Sequence, residues 1–121
     1  MIKVYGIQNC DSCKKTQKWF LNKNININFY DYRLDGINKE ILMYFNSFCD
    51  LIKIINKRST SWRLLPKNIK DNINATNIIE LLIKTPTLIK RPVIIHKKNF
   101  FIGFQEEELK KIFTQTNNLE L

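Results

Sequence analysis

Two cysteines separated by two residues lie where a short strand ends and a helix begins. Alternating apolar side chains predict a strand over Ile2–Gly6, and the spacing that follows predicts a helix over Asp11–Asn24. Cys10 therefore falls at the helix N-terminus, and Cys13 lies about one turn further on. The positive end of the helix dipole and its free backbone N–H groups favour a thiolate over a thiol. This junction predicts thiol chemistry at Cys10.

Apolar spacing along the rest of the chain predicts the order of the elements. A second strand is predicted near Ile27–Tyr32, several helices follow, Val93–His96 and Phe100–Ile102 form a hairpin, and Gln105–Thr114 is a final helix. The order is β-α-β, an all-helical middle, then β-β-α. This is a thioredoxin-like α/β order with an inserted helical subdomain at about residues 38–85. We expect residues 1–121 to form a single domain, because the length suits one.

Composition limits the compartment and the partners. Lys or Arg interrupts every apolar run before it reaches membrane-spanning length, and the N-terminal residues lack the pattern of a signal peptide. Three cysteines, an odd number, argue against a secreted disulfide framework, so we expect a cytoplasmic protein away from membranes. We also expect a monomer. The net charge is +9, but the lysines are scattered and arginine is scarce. This pattern favours a solvated surface and predicts no specific binding to DNA.

Five segments, in order along the chain, resemble the arsenate reductase (ArsC) family and are most similar to its YffB branch. The Cys-x-x-Cys pair is instead similar to that of the Spx branch. The matching segments are residues 5–11 with 14–15 (Tyr-Gly-Ile-Gln-Asn-Cys-Asp and Lys-Lys), 31–36 (Asp-Tyr-Arg-Leu-Asp-Gly), 58–63 (Arg-Ser-Thr-Ser-Trp-Arg), 86–95 (Pro-Thr-Leu-Ile-Lys-Arg-Pro-Val-Ile-Ile) and 103–104 (Gly-Phe).

The resemblance implies roles for particular residues. Cys10 matches the family's nucleophile, and Arg91 matches an arginine that stabilises the thiolate or an anionic ligand such as a glutathione carboxylate. Pro92 matches the proline that thioredoxin-like folds keep in the cis form beside the nucleophile, where exposed backbone can hold a substrate thiol. Lys14 and Arg58 are further candidates for substrate binding.

The other sulfur and imidazole side chains have simpler explanations. Two explanations of Cys13 stay open, since it could resolve a mixed disulfide or pack in the core. Cys49 shares a predicted helix face with aromatic residues and is expected to pack, whereas His96 is expected to face solvent at the hairpin. These residues and Cys10 could supply four zinc ligands, but Cys49 and His96 lack ligand spacing. We predict neither a metal nor a bound cofactor.

Three functions follow from the resemblance, in decreasing order of preference. The first is a thiol oxidoreductase that uses glutathione as co-substrate or a glutaredoxin-type donor. The alternative is an Spx-like redox-sensing regulator of RNA polymerase, in which a Cys10–Cys13 disulfide would switch a binding surface. The third is arsenate reduction, for which the family grips the oxyanion with three arginines. Here Arg91 matches one, Arg58 is displaced from the second, and Gly103-Phe104 replace the third, so we expect weak arsenate reduction.

Overall fold

The computed structural model describes the backbone of residues 1–119 and the side chains of residues 1–113. Four strands, seven α-helices and two 3-10 helices lie within the described part of the chain. The strands are β1 (Ile2–Gly6), β2 (Ile27–Asp31), β3 (Val93–His96) and β4 (Asn99–Ile102). The α-helices are α1 (Asp11–Asn22), α2 (Tyr32–Asp35), α3 (Lys39–Asn46), α4 (Thr60–Leu64), α5 (Lys67–Lys70), α6 (Ile78–Lys84) and α7 (Glu106–Leu119), and the 3-10 helices span Leu51–Ile54 and Pro86–Leu88.

The chain divides into two compact units. The first, the sheet unit, comprises residues 1–30 and the chain from Arg91 onward, and the second, the helical unit, comprises residues 31–90. The predicted insertion at about residues 38–85 falls within the helical unit. The assignment of both units to one domain stays a prediction.

The sheet unit is built on four strands in the order β2-β1-β3-β4. Strand β3 runs antiparallel to both β1 and β4, with Ile94 paired to Val4 on one side and to Phe101 on the other. Both Val4 and Ile94 are fully buried, because they belong to the apolar cluster that α1 and α7 cover. Its buried members are Ile2, Val4, Phe20, Ile94, Leu109 and Phe113.

His96 lies inside the sheet unit, so the prediction that it faces solvent is wrong. Its side chain is buried, and its ring centroid lies 5.3 Å from that of Phe113. Phe113 in turn packs edge-on against Phe20 at 5.2 Å. Helix α7 therefore covers the end of β3, a placement that local strand and turn patterns do not reveal.

Side-chain caps begin most of the short elements of the helical unit. Asn38 accepts a hydrogen bond from the backbone N–H of Ile41, and Ser59 accepts one from that of Trp62. Asp31 accepts hydrogen bonds from two backbone N–H groups of α2, so Tyr32 begins a helix instead of ending the predicted strand. These caps satisfy donors that helices of one or two turns cannot pair internally.

A short antiparallel bridge joins two distant segments of the helical unit. Ile55 pairs with Ile89, and both side chains are buried. Hydrogen bonds flank the bridge, from the N–H of Asn56 to the Leu88 carbonyl at 2.7 Å and from the N–H of Lys90 to the Ile54 carbonyl at 2.8 Å. The bridge therefore holds the loop after the first 3-10 helix against the loop after the second.

No α-helix among the described residues is long and apolar enough to span a bilayer.

Candidate functional site

Cys10 occupies the N-cap position of α1. Its backbone is extended, with φ −131° and ψ 130°, and its carbonyl accepts the first helical hydrogen bond from the N–H of Lys14 at 2.9 Å. Its side chain makes no capping hydrogen bond of ordinary geometry. A half-buried sulfur thus stands where Ser or Asp usually accepts from the first turn, so the free N–H groups of α1 are available to a thiolate.

The surroundings of Cys10 favour its ionised form. Burial by itself would raise the pKa of the thiol. The backbone N–H of Cys13, the guanidinium of Arg91 and the Cys13 thiol act in the opposite direction and outweigh burial, so the pKa of Cys10 lies below its ordinary value. Cys10 is therefore the more acidic thiol of the Cys10–Cys13 pair.

Arg91 reaches Cys10 from the segment before β3. The side chain of Arg91 is half-buried and both hydrogen-bonds and attracts the Cys10 sulfur. The Arg91–Pro92 peptide bond is cis, as the resemblance implies. The Pro92 carbonyl accepts a hydrogen bond of 2.7 Å from the N–H of Gly103, which places the end of β4 next to this segment.

Cys13 has the opposite character to Cys10. Its side chain is fully buried. Burial, reinforced by the neighbouring Cys10 sulfur and only partly offset by the backbone N–H of Ile7, raises the pKa of Cys13 to about 12. Cys13 thus stays a neutral thiol at physiological pH and can donate its S–H to the Cys10 thiolate.

Gly6 is a residue of this site that the sequence reading did not single out. A Cβ atom built on Gly6 would lie 2.5 Å from the Cys13 Sγ, so no larger residue fits at the end of β1 without displacing that sulfur. Thr16, also buried, anchors the same turn of α1 by donating to the Ser12 carbonyl at 2.7 Å. A glycine at a strand end just before a cysteine loop is the available sequence signal.

The remaining predicted site residues are not assembled in the same way. Lys14 is exposed on α1 and is not among the groups that lower the pKa of Cys10. Arg58 is exposed in the helical unit, and its backbone N–H donates to Asn56 Oδ1 at 3.0 Å.

Cys49 is half-buried, and burial raises its pKa. All three cysteines are free thiols. Among the described residues, no group of three or more His, Cys, Asp or Glu side chains is arranged to hold a metal ion.

Comparison with known proteins identifies the family. Residues 5–112 match the family model described as ArsC family. The chain belongs to the ArsC family. An uncharacterised protein of Haemophilus influenzae is 41% identical over 113 residues, which cover 93% of this chain and 99% of that protein. The solved structure of a YffB protein superposes with a TM-score of 0.85 at 28% identity, covering 92% of this chain and 97% of that one.

Two other relatives illustrate the range of this family. The global transcriptional regulator Spx of Streptococcus agalactiae is 30% identical over 112 residues, covering 91% of this chain and 81% of Spx. The solution structure of an arsenate reductase related protein from Brucella melitensis matches at 30% identity with a TM-score of 0.73, covering 93% of each chain. The predicted thioredoxin-like α/β fold and the ArsC resemblance are confirmed, and the chain has the thiol-redox fold of this family.

Proposed function

We propose that this ArsC-family protein is a cytoplasmic thiol oxidoreductase that reduces mixed disulfides with electrons from glutathione or a glutaredoxin-type thiol. The observation that carries this proposal is the Cys10 sulfur at the N-terminus of α1. Its pKa is lowered, against the effect of burial, by the N–H of Cys13 and the guanidinium of Arg91. A half-buried thiolate beside a cation is the arrangement that nucleophilic cysteines use.

The proposed reaction has two exchange steps. The Cys10 thiolate attacks the glutathione sulfur of a mixed disulfide, forms a Cys10–glutathione disulfide and releases the substrate as a thiolate, which takes a proton from solvent. A second glutathione, as thiolate, then attacks the glutathione sulfur of that disulfide. Glutathione disulfide leaves and the Cys10 thiolate is restored. In the net reaction one glutathione thiol and one mixed disulfide give the free substrate thiol and glutathione disulfide.

Arg91 takes part in both steps of this scheme. The Arg91 guanidinium stabilises the attacking thiolate in the first step and the same thiolate as leaving group in the second. The guanidinium can also donate two parallel hydrogen bonds to a carboxylate of glutathione. A substrate-binding role for Pro92 stays a prediction, since proline has no N–H and the Pro92 carbonyl already accepts a hydrogen bond from Gly103. Substrate-binding roles for Lys14 and Arg58 stay predictions.

The burial of Cys13 favours the route that uses Cys10 alone. To resolve a mixed disulfide, Cys13 must first lose a proton, and its pKa of about 12, raised chiefly by burial, opposes this at neutral pH. We therefore assign Cys13 to positioning and S–H donation within the proposed reaction.

Reduction of a glutathionylated peptide tests the proposal. With glutathione, glutathione reductase and NADPH, the wild-type protein should turn over. Cys10→Ser should lose this activity, and Cys13→Ser should keep a substantial part of it, while Cys49→Ser serves as the matched thiol control with activity unchanged. Activity retained in Cys10→Ser would reject Cys10 as the nucleophile, and inactivity of the wild type with both glutathione and glutaredoxin would reject the proposed donor class.

A redox-sensing regulator is the second candidate function. The similarity to Spx and the contact between the Cys10 and Cys13 thiols favour it. Under this alternative, oxidation joins the two sulfurs and changes affinity for RNA polymerase. Binding of purified polymerase to oxidised and reduced protein distinguishes the two functions. A redox-dependent difference that Cys13→Ser removes, without turnover of glutathionylated peptide, would support the regulator.

A further inference from the structure

A cavity of about 430 Å³ in the helical unit is lined by four cationic side chains and no carboxylate. The cations are Lys53, Lys57, Arg58 and Lys90. We propose that this cavity binds a small organic phosphate that carries at least two phosphate groups. All of its lining residues belong to residues 31–90 and none is a cysteine. Arg58, whose substrate-binding role in the thiol reaction stays a prediction, is among them.

The cations of this cavity have no anionic partner within the described residues. Lys110 and Lys111, by contrast, form ion pairs with glutamates of α7. Asp50, the carboxylate closest in sequence to Lys53, accepts a hydrogen bond from the backbone N–H of Ile52. Four like charges around one cavity repel each other, so an anion bound among them is stabilised by all four.

The backbone under these cations is held in place. The bridge between Ile55 and Ile89 joins the two chain segments that carry them. Its flanking hydrogen bonds fix the backbone of Asn56 and Lys90, and Asn56 Oδ1 accepts from the N–H of Arg58. The backbone that carries Lys57, Arg58 and Lys90 is thus fixed before a ligand binds. This lowers the entropy that binding costs.

The lining and the size indicate the ligand class. Lysine and arginine groups satisfy phosphate oxygens, and the arginine fork does so in a bidentate manner. Four cations match the charge of a diphosphate or triphosphate better than that of a single carboxylate. Ile52 and Ile55 supply an apolar wall for the organic part. A volume of this size is that of a small-molecule site, whereas a nucleic-acid backbone follows an extended groove.

Trp62 provides a spectroscopic signal for occupancy. The ammonium of Lys57 lies 5.6 Å from the centroid of the Trp62 ring, and that of Lys70 lies 5.4 Å from it. Only Lys57 also lines the cavity. A bound phosphate draws Lys57 away from the indole and leaves Lys70 in place, so the emission of Trp62 reports binding.

Calorimetric titration of the full chain with ADP and with inorganic pyrophosphate, at about 0.15 M salt, tests the proposal. Both ligands should bind saturably. The double variant Lys53→Gln with Lys90→Gln should bind pyrophosphate at least about tenfold more weakly, since two charge-assisted contacts are lost. Lys18→Gln with Lys98→Gln removes the same charge from exposed positions of the sheet unit and should change affinity less than about twofold.

Fluorescence of the unmutated cavity supplies a second measurement. In Trp19→Phe, Trp62 is the single tryptophan, and its emission should change saturably with pyrophosphate. Lys57→Gln in that background should remove the change, whereas Lys70→Gln should keep it.

Absence of saturable binding in the wild type, or equal losses in the two double variants, would overturn the proposal. Tighter binding of a single-stranded oligonucleotide than of ADP at equal phosphate concentration would replace it with a nucleic-acid site. Binding that persists in Cys10→Ser separates this site from the thiol reaction.

Discussion

The sheet unit and the helical unit place their polar groups in opposite ways. In the sheet unit, a half-buried sulfur meets a backbone N–H, a half-buried guanidinium and a buried thiol. In the helical unit, four exposed lysine and arginine side chains line a cavity, and hydrogen bonds fix the backbone that carries most of them. Burial strengthens each electrostatic interaction of the first arrangement, while water and salt screen those of the second. Single substitutions should therefore have larger effects in the sheet unit.

The largest expected effect is a difference in alkylation rate between Cys10, which lies at a helix N-terminus, and Cys49, which does not. At about pH 6.5, iodoacetamide should alkylate Cys10 at least about tenfold faster than Cys49. The pKa of Cys10 is lowered, because its N–H and guanidinium partners outweigh burial, whereas burial raises that of Cys49. As pH falls, the Cys10 rate should decline only near its lowered pKa. Mass-mapped labelling measures both rates, and faster modification of Cys49 would remove the thiolate from the proposed mechanism.

Removal of the guanidinium tests how much of the Cys10 reactivity comes from Arg91. Arg91→Ala should raise the pKa of Cys10 and slow its reaction with glutathione disulfide at neutral pH by roughly fivefold, because a cation near the thiolate is lost. Arg91→Lys should keep part of the charge effect and lose the bidentate grip on a carboxylate.

The matched control is Arg63→Ala, which removes an exposed arginine of the helical unit. Unchanged pKa and rate in a folded Arg91→Ala protein would show that Arg91 does not tune Cys10.

The close approach of Gly6 to the Cys13 sulfur should affect the stability of the fold more than the ionisation of the thiols. Gly6→Ala should lower the free energy of unfolding by about 1–3 kcal/mol, because the added methyl group displaces the Cys13 Sγ in a packed interior. Urea denaturation measures the loss. In a Cys13→Ala background the same substitution should cost less, since the sulfur it meets is gone. Equal costs in both backgrounds would show that the methyl group is accommodated elsewhere.

Arsenate should produce the smallest response. The end of β4 lies beside Pro92, yet Gly103 carries no side chain and Phe104 packs against the apolar cluster. Neither supplies a cation to offset the desolvation of an oxyanion near Arg91. A coupled assay with glutathione and glutaredoxin should therefore show little arsenate-dependent turnover. Robust, saturable reduction would indicate that another cation completes the anion site.

Local patterns predicted several element bounds closely, but not the boundary that follows β2. The strands β1 and β3 have the predicted bounds, and α1 ends at Asn22, close to the predicted end. Apolar spacing predicts that Tyr32 continues the strand of β2, but the Asp31 cap starts a helix there. A cap can override a period of two over so short a segment, because it satisfies donors that a strand end leaves open.

The position of the reactive sulfur follows from the local sequence alone. A strand, a cysteine and a helix in succession place Cys10 at a helix N-terminus whatever the rest of the chain does, because that geometry is local. The pairing of Cys10 with Arg91 could be predicted only through the family resemblance, because it depends on β3 lying beside β1.

The different pKa values of Cys10 and Cys13 arise from packing between distant segments of the chain. Both are cysteines of one short motif, but Cys13 is buried against Gly6 and Cys10 is not. Desolvation depends on which atoms from distant segments surround a group. Packing between segments distant in sequence also explains two other features. It buries His96 against Phe113, and it brings four cations around one cavity.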